Sequence, residues 1–236
     1  MLLLFKPRDQ KYIGEGTLPF GSYDDTSEWL PITRYLDRGA AEFPEKTMFR
    51  VADRDGNLIN THSYRETNEW ANRVANGLIK DYGINKGDRV GIYMLNSSEY
   101  VISIIAIHKT GAVQVPINKD EKGDRLAYII NYSEMKALIV DPESIPMLNE
   151  IAKNLDKLEH IFVTGNPDAV PESIGGIKTL PYPVFDKYSS ENPGLDVKVS
   201  DVERCMFTSG TTGMPKGVSR NHGGVVLTVR GYIQQQ

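Results

Sequence analysis

A chain of 236 residues is long enough to bury a sizeable core without disulfide bonds. Apolar residues make up 40% of it and charged residues 25%, a balance typical of a folded globular protein rather than a disordered one. The net charge is −4 and the basic residues form no stripe along the sequence. This pattern argues against a protein that binds nucleic acid through its phosphates.

The cysteine count and the apolar runs bear on where the protein works. Cys205 is the single cysteine and no Cys/His spacing resembles a zinc site, so we predict no metal centre and a reducing, cytoplasmic setting. The longest apolar run, residues 101–107, is far shorter than the ~18 to 20 residues of a membrane-spanning helix. Residues 1–5 are too short for the apolar part of a signal peptide. We therefore predict neither a transmembrane segment nor export.

The first part of the chain is predicted to hold an arm, a hairpin and a helix. Residues 1–30 are rich in Gly, Pro and aromatic residues and predict an irregular arm on the surface. An Asp-Gly pair in the middle of residues 47–63, between alternating apolar stretches, predicts a β-hairpin. Ser63 and Glu66 have the spacing of a capping box, and the apolar residues that follow predict a helix over residues 64–80.

Strands that alternate with helices are predicted downstream. The predicted strands cover residues 89–95, 112–116, 137–140 and 161–164, and the predicted helices run from the caps Ser97 and Ser98 to Gly111, over 124–132 and over 145–155. This alternation predicts an α/β fold: a parallel sheet with right-handed crossovers and helices on both faces.

The predicted elements fall into regions after the arm. Residues 31–165 are predicted to form a first α/β subdomain. Residues 166–200 have a weak apolar pattern interrupted by prolines, which predicts a connecting segment. Residues 201–236 are predicted to begin a second α/β subdomain.

The stretch from Thr208 to Gly217 carries the clearest chemistry. A strand is predicted over residues 202–207 before it, and a helix is predicted to start near His222 after it. Glycines there permit backbone angles that let consecutive N–H groups converge on one anion, and hydroxyl and ammonium groups add donors. The predicted phosphate-binding residues are Thr208, Ser209, Gly210, Thr211, Thr212, Gly213 and Lys216, with Gly217 as a further flexible position. The outer phosphates of ATP, or pyrophosphate, are the natural ligand.

Other interpretations of this stretch fit less well. Gly, Ser and Thr cluster in ordinary surface turns for conformational reasons. The many hydrogen-bond donors of this stretch, placed between a strand and a helix, make a surface turn without function the weaker interpretation. The P-loop of nucleoside triphosphatases requires Ser or Thr directly after its lysine. Here Gly217 follows Lys216, so that spacing fails.

The same stretch resembles the signature loop of the adenylate-forming superfamily, which comprises acyl-CoA synthetases, peptide-synthetase adenylation domains and luciferases. The residues that carry the resemblance run Thr208-Ser-Gly-Thr-Thr-Gly-Met-Pro-Lys-Gly-Val218. Further blocks resemble the family in the same order: His62-Ser-Tyr-Arg-Glu66 with Asn68, Ala71, Asn72 and Ala75-Asn-Gly-Leu78, then Gly87-Asp-Arg-Val-Gly91 with Asn96, then Lys109-Thr-Gly-Ala112 with Val115-Pro-Ile-Asn118. The last block lacks the Gly-Gly-Ala-Tyr pattern of peptide-synthetase modules, which favours an acyl-CoA synthetase.

The resemblance implies an ATP-dependent ligase. A carboxylate attacks the α-phosphate of ATP to give acyl-AMP and pyrophosphate, and the thiol of CoA then displaces AMP. ATP, Mg²⁺ and CoA are the implied cofactor and co-substrates, and a fatty or medium-chain acid is the favoured substrate. The loop residues named above take phosphate-binding roles. The alternative is a non-catalytic nucleotide- or phosphate-binding module that retains the loop alone.

The resemblance also implies that the chain is the N-terminal portion of the adenylate-forming fold. The catalytic residues are expected beyond Gln236, so the chain alone is expected to be inactive and to need the missing C-terminal part as a partner. Uncovered strand edges and apolar faces seek partners, so self-association is expected.

Several residues invite functional roles that we discount. His222 is interpreted as a cap or packing residue at the start of a helix rather than a general base. His108 is expected to contact nearby backbone or the C-terminus of its helix. Cys205 and Trp70 are expected to be core residues.

Overall fold

The computed structural model describes residues 29–208 and 214–234, with side chains as far as Tyr232. The arm predicted over residues 1–30 lies almost wholly outside this range, so it stays a prediction.

The predicted hairpin and capped helix are confirmed. Strands β1 (Thr47–Ala52) and β2 (Leu58–Ser63) pair antiparallel. Helix α2 (Tyr64–Lys80) follows directly. Ser63 Oγ accepts a hydrogen bond from the Glu66 N–H at 3.2 Å, and Glu66 Oε2 accepts one from the Ser63 N–H at 2.8 Å. These reciprocal bonds satisfy N–H groups that the first helical turn leaves unpaired.

The sequence analysis did not predict helix α1 (Ile32–Glu42), which precedes the hairpin. Pro31 stands at its N-terminus without a side-chain cap, so the usual starting signal is missing. Tertiary contacts hold α1 instead: Leu36 is buried, and Asp37 Oδ1 accepts a hydrogen bond from Lys109 Nζ at 2.5 Å.

An eight-stranded sheet forms the centre of the molecule. Its strands are β3 (Arg89–Tyr93), β4 (Val113–Pro116), β5 (Met135–Val140), β6 (His160–Val163), β7 (Ser173–Ile174), β8 (Ile177–Pro181), β9 (Val202–Thr208) and β10 (Lys216–Asn221). The order across the sheet is β10-β9-β4-β3-β5-β6-β8-β7. The pairs from β9 through β8 are parallel, as predicted. The edge strands β7 and β10 are antiparallel to their neighbours, so the sheet is mixed rather than purely parallel.

Helices cover both faces of the sheet, as predicted. They are α3 (Ser98–Lys109), α4 (Gly123–Tyr132), α5 (Ile145–Ile151) and α6 (His222–Gln234), together with α1 and α2. One core joins α2 and α3 to alternate residues of β3 and β5, such as Ile92 and Ile139. The other joins α4 and α5 to the residues between them, such as Tyr93 and Val140. This alternation follows from the opposite directions of successive strand side chains.

Residues 166–200, predicted to be a connecting segment, contain β7 and β8. These strands extend the sheet beyond β6, and a 3-10 helix (Tyr182–Lys187) then packs Phe185 into the core against α2. The division of the chain into subdomains stays a prediction.

None of the helices in the part of the chain that the structure describes combines the length and the apolar character needed to cross a bilayer.

Candidate functional site

The stretch predicted to bind phosphate joins the two strands of a hairpin. β9 ends at Thr208 and β10 begins at Lys216, and these two residues are partners in the antiparallel register. Both are exposed, and Thr208 Oγ1 lies 3.5 Å from the Lys216 carbonyl oxygen. A hydroxyl donor and an ammonium group therefore stand at the two ends of the connecting loop.

The remaining predicted phosphate-binding residues lie outside the described residues. These are Ser209, Gly210, Thr211, Thr212 and Gly213. Their roles stay predictions, whereas the structure places Thr208 and Lys216 together at the mouth of the loop.

The sequence analysis missed a strand between the loop and the helix predicted near His222. β10 lies between the loop and α6, which begins at His222 as predicted. Most residues of β10 are exposed, so the strand has no apolar alternation from which it could be recognised. Gly217 was predicted to need backbone angles closed to other residues, and this is wrong, because it lies within β10 and is absent from the described glycines with positive φ. A β-carbon there would lie 3.1 Å from Cys205 Sγ, so its small size serves close packing.

The start of α6 is fixed by hydrogen bonds. Asn221 Oδ1 accepts from the Gly224 N–H at 2.8 Å, which caps the helix. The His222 N–H donates to the Asp201 carbonyl at 3.1 Å, and the Gly223 N–H donates to the Val199 carbonyl at 2.9 Å. The start of α6, and with it the end of β10, is thus tied to the segment that leads into β9.

The motif blocks upstream of the loop serve the fold. Asn72 Nδ2 donates to the Ser190 carbonyl at 2.8 Å, and Asn76 Nδ2 donates to the carbonyls of Ser189 and Glu191 at 2.8 Å each. These amides hold the segment that leads to β9 against α2. Among the described residues, the hydrogen bonds of these two amides all go to this segment.

Small residues in these blocks permit close packing. A β-carbon at Gly77 would lie 2.6 Å from an atom of the Phe185 ring and 2.7 Å from one of the Tyr188 ring. One at Gly91 would lie 2.6 Å from Leu138 Cδ1. Trp70 packs against the core, as predicted.

His108 and His222 lie in the interior beside a glutamate that the sequence analysis missed. His108 Nε2 lies 3.1 Å from the backbone oxygen of Glu203, which confirms its predicted contact with backbone, and 3.1 Å from the carboxylate atom Oε2. The rings of His108 and His222 are 5.5 Å apart. Burial, followed by the nearby His108 ring, lowers the pKa of His222 to about 4. A single Glu in a strand carries no sequence signal for such a contact.

Within residues 29–208 and 214–234, no cluster of three or more His, Cys, Asp or Glu side chains has the arrangement of a metal site. The chemistry that the described part of the loop offers is therefore hydrogen-bond donation and positive charge toward an anion.

Comparison with known families shows which family the chain belongs to. The family described as AMP-binding enzyme matches residues 36–236. The chain belongs to the AMP-binding enzyme family. This assignment confirms the resemblance to adenylate-forming enzymes inferred from the loop and the upstream blocks.

Relatives of this AMP-binding family member include CoA ligases. The chain is 32% identical over 195 residues to crotonobetaine/carnitine–CoA ligase from Salmonella agona (strain SL483), which covers 81% of the chain and 36% of that ligase. It is 30% identical over 196 residues to N-(5-amino-5-carboxypentanoyl)-L-cysteinyl-D-valine synthase from Penicillium rubens, covering 79% of the chain and 5% of the synthase. The chain thus spans about a third of the one relative and a small part of the other.

The fold of this AMP-binding family member is similar to solved ligase structures. The anthranilate CoA ligase AuaEII, in complex with anthranoyl-AMP, superposes with a TM-score of 0.72 at 28% identity. The superposition covers 86% of this chain and 36% of AuaEII. The α/β architecture is therefore that of an adenylate-forming enzyme.

Proposed function

We propose that this chain supplies the nucleotide phosphate-binding part of an ATP-dependent acid–thiol ligase. In the reaction, a carboxylate oxygen of the acid bonds to the α-phosphorus of ATP, and the bond from that phosphorus to the bridging oxygen breaks to release pyrophosphate. The thiolate of CoA then bonds to the acyl carbon and AMP leaves. The observation that carries the proposal is the loop whose ends, Thr208 and Lys216, face each other in a chain of the AMP-binding enzyme family.

The proposed role of the loop is electrostatic. Negative charge accumulates on the departing pyrophosphate, and oriented donors lower the energy of that state. Lys216 supplies a full positive charge and Thr208 a hydroxyl at the loop mouth. Ser209, Thr211 and Thr212 are proposed to add hydroxyl donors, and Gly210 and Gly213 to let the backbone N–H groups approach the phosphates.

Mg²⁺ is proposed as the partner of the nucleotide, where it would neutralise part of the charge of the phosphates. Lys216 and Thr208 fit the phosphates rather than the metal, since neither provides a carboxylate. We therefore assign no described residue to the metal. The catalytic residues are proposed to lie in sequence beyond Gln236, within the length that the relatives have and this chain does not span.

The choice of thiol and acid rests on similarity. CoA is proposed as the acceptor because the names of a bacterial relative and of a structural neighbour describe CoA ligases. A fatty or medium-chain acid is proposed as the substrate, and another neighbour, 24% identical with a TM-score of 0.63, is described as a fatty acyl CoA synthetase from Mycobacterium tuberculosis. A cytoplasmic location is proposed from the single, reduced Cys205.

ATP–pyrophosphate exchange tests this proposal. The polypeptide encoded by the complete gene is incubated with ATP, labelled pyrophosphate and a panel of short, medium-chain, fatty and aromatic acids. Acid-dependent exchange, followed by thioester formation when CoA is added, is expected. The 236-residue chain is assayed beside it and is expected to bind pyrophosphate without supporting exchange. Pyrophosphate binding with no exchange by the complete polypeptide would instead indicate a non-catalytic phosphate-binding module.

A further inference from the structure

Ionisable side chains from α3, β9 and α6 meet in the interior of the molecule. His108, Glu203 and His222 are only 2%, 1% and 1% exposed. His108 Nε2 lies 3.1 Å from both the carboxylate oxygen Oε2 and the backbone oxygen of Glu203. A carbonyl oxygen and a carboxylate both accept hydrogen bonds, so Nε2 carries a proton and donates to Glu203.

The second histidine completes this group. The ring of His222 stands edge-on to that of His108, at 5.5 Å and 77°. Asp201 and Lys86 act on His222 from the segments that precede β9 and β3, and Arg204 Nη2 lies 3.3 Å from Glu203 Oε1. We call His108, Glu203 and His222 the buried cluster.

The buried cluster lies where β9 and the start of α6 meet helix α3. Glu203 is on β9, the strand that ends at Thr208, and His222 directly follows β10, the strand that begins at Lys216. His108 is in the last turn of α3, on the other side of this contact. β9, through Glu203, and the start of α6, through His222, therefore both meet α3 at His108.

The presence of His108 and Glu203 in the interior is not explained by the stability of the fold. Removing a carboxylate and an imidazole from water is costly, and a well-packed apolar pair often stabilises a protein as much or more. Hydrogen bonds, however, are directional, whereas apolar contacts permit sliding. The Nε2 donor of His108 fixes both the backbone and the side chain of Glu203.

We propose that His108 and Glu203 are positioning residues, and that the buried cluster sets the placement of β9 and of the start of α6, which directly follows β10, relative to α3. It thereby sets the positions of Thr208 and Lys216 at the two ends of the loop. The consequence for nucleotide binding rests on the proposed function. The part of the proposal that concerns the placement of the hairpin does not rest on that function.

The first test compares hydrogen exchange and ligand binding in wild type, Glu203→Gln and Glu159→Gln, each in the 236-residue chain. Glu159 is the matched control, because its Oε2 also faces a histidine nitrogen, Nε2 of His160 at 3.9 Å, but at the surface. In Glu203→Gln, protection of amides in residues 202–208 and 216–221 is expected to fall about ten-fold, and the Kd for inorganic pyrophosphate to rise about ten-fold. Glu159→Gln is expected to leave both unchanged. Wild-type exchange in Glu203→Gln overturns the proposal.

A second variant separates positioning from packing. Glu203→Leu combined with His108→Leu replaces the polar pair by an apolar one. If the pair acts by positioning, the melting temperature of this double variant is expected to return to the wild-type value. Hydrogen exchange in the hairpin and the affinity for pyrophosphate are expected to remain as altered as in Glu203→Gln. Recovery of all three overturns the proposal. If the leucine pair does not fold, the comparison of Glu203→Gln with Glu159→Gln decides.

The variant Lys216→Ala separates the proposed phosphate-binding role of the loop from the proposed positioning role of the buried cluster. If wild type binds no pyrophosphate, or if Lys216→Ala binds it equally well, the phosphate-binding role of the loop is refuted. The hydrogen-exchange comparison needs no ligand, so it still decides whether the buried cluster positions the hairpin.

Discussion

Thr208 and Lys216 are paired residues at the loop end of the β9–β10 hairpin, so the hydroxyl and the ammonium group occupy opposite ends of one loop. Strand pairing fixes the backbone of both residues. Lys216 therefore carries its positive charge on a backbone that is held by strand pairing. Removing its side chain is the most direct test of the loop.

Lys216→Ala is expected to weaken pyrophosphate binding by about 1.5 to 3 kcal/mol, the range for a hydrogen bond to a charged group. Titration calorimetry with pyrophosphate measures this. Lys198→Ala is the control, since Lys198 is an exposed lysine in the segment before β9. Equal affinities for wild type and Lys216→Ala would remove Lys216 from the site.

Gly77→Ala is expected to destabilise the protein, although alanine favours a helix over glycine by about 1 kcal/mol. The new methyl group would overlap the rings of Phe185 and Tyr188, and such overpacking costs about 1 to 3 kcal/mol. Gly231→Ala in α6 is the matched control, because its β-carbon would meet nothing within 4 Å. Urea denaturation should show a loss for Gly77→Ala and a small gain or no change for Gly231→Ala; a gain in both would contradict the packing at Gly77.

Glu66→Gln is expected to lose a charge-dependent part of the helix cap. The backbone N–H of Ser63, followed by its hydroxyl, lowers the pKa of Glu66 from its usual value of 4.5. A lowered carboxyl pKa means that the stabilisation is present above pH 4.5 and is lost as the pH falls through the folded-state value. The advantage of wild type should be about 0.5 kcal/mol near neutral pH, limited by solvent screening, and vanish in acid. Glu69→Gln on the same helix should show no such loss.

His222→Gln is expected to make the free energy of unfolding depend less steeply on pH between 6.5 and 4. Burial and the neighbouring His108 lower the pKa of His222 from 6.5 to about 4. Between these values the unfolded chain binds a proton that the folded chain does not, so the free energy of unfolding falls as the pH drops from 6.5 to 4. The fall from this residue is roughly 3 kcal/mol by linkage. Urea denaturation across this range should show a steeper slope for wild type than for His222→Gln; parallel slopes would mean that His222 keeps an ordinary pKa.

Val218→Lys is expected to reduce self-association. Among the described strands, β10 pairs with β9 alone, and Val218 and its partner Met206 are both exposed. An edge strand with apolar side chains can pair with a second copy, and a lysine opposes this. Light scattering over a range of concentrations measures the association, with Leu58→Lys on the separate two-stranded sheet as the control. A monomeric wild type at high concentration would contradict the expectation.

Local signals explain which parts of the fold were predictable. The capping box at Ser63 and Glu66 and the turn at Gly56 depend on residues next to each other in sequence, and both are confirmed. Buried strands such as β5 show as apolar runs. β10 shows no such pattern because its side chains are exposed, so its stability comes from pairing with β9.

The candidate site divides in the same way. The composition of the loop and the spacing of its glycines can be recognised in the sequence alone. They identify the family before any contact is known. The buried cluster is not readable, because His108 and Glu203 are far apart in sequence and meet only when β9 lies beside β4. The tertiary contact, rather than the residue type, gives these side chains their role.

The order of the strands along the chain departs sharply from their order across the sheet at one place. β8 and β9 follow each other in sequence, yet β6, β5, β3 and β4 lie between them. The linking chain runs along α2, where Asn72 and Asn76 bind its carbonyl groups. Contacts between distant parts of a chain form slowly, since loop-closure entropy is lost before they are made. The hairpin that carries the loop is therefore expected to join the sheet late in folding, once α2 has captured the chain that leads to it.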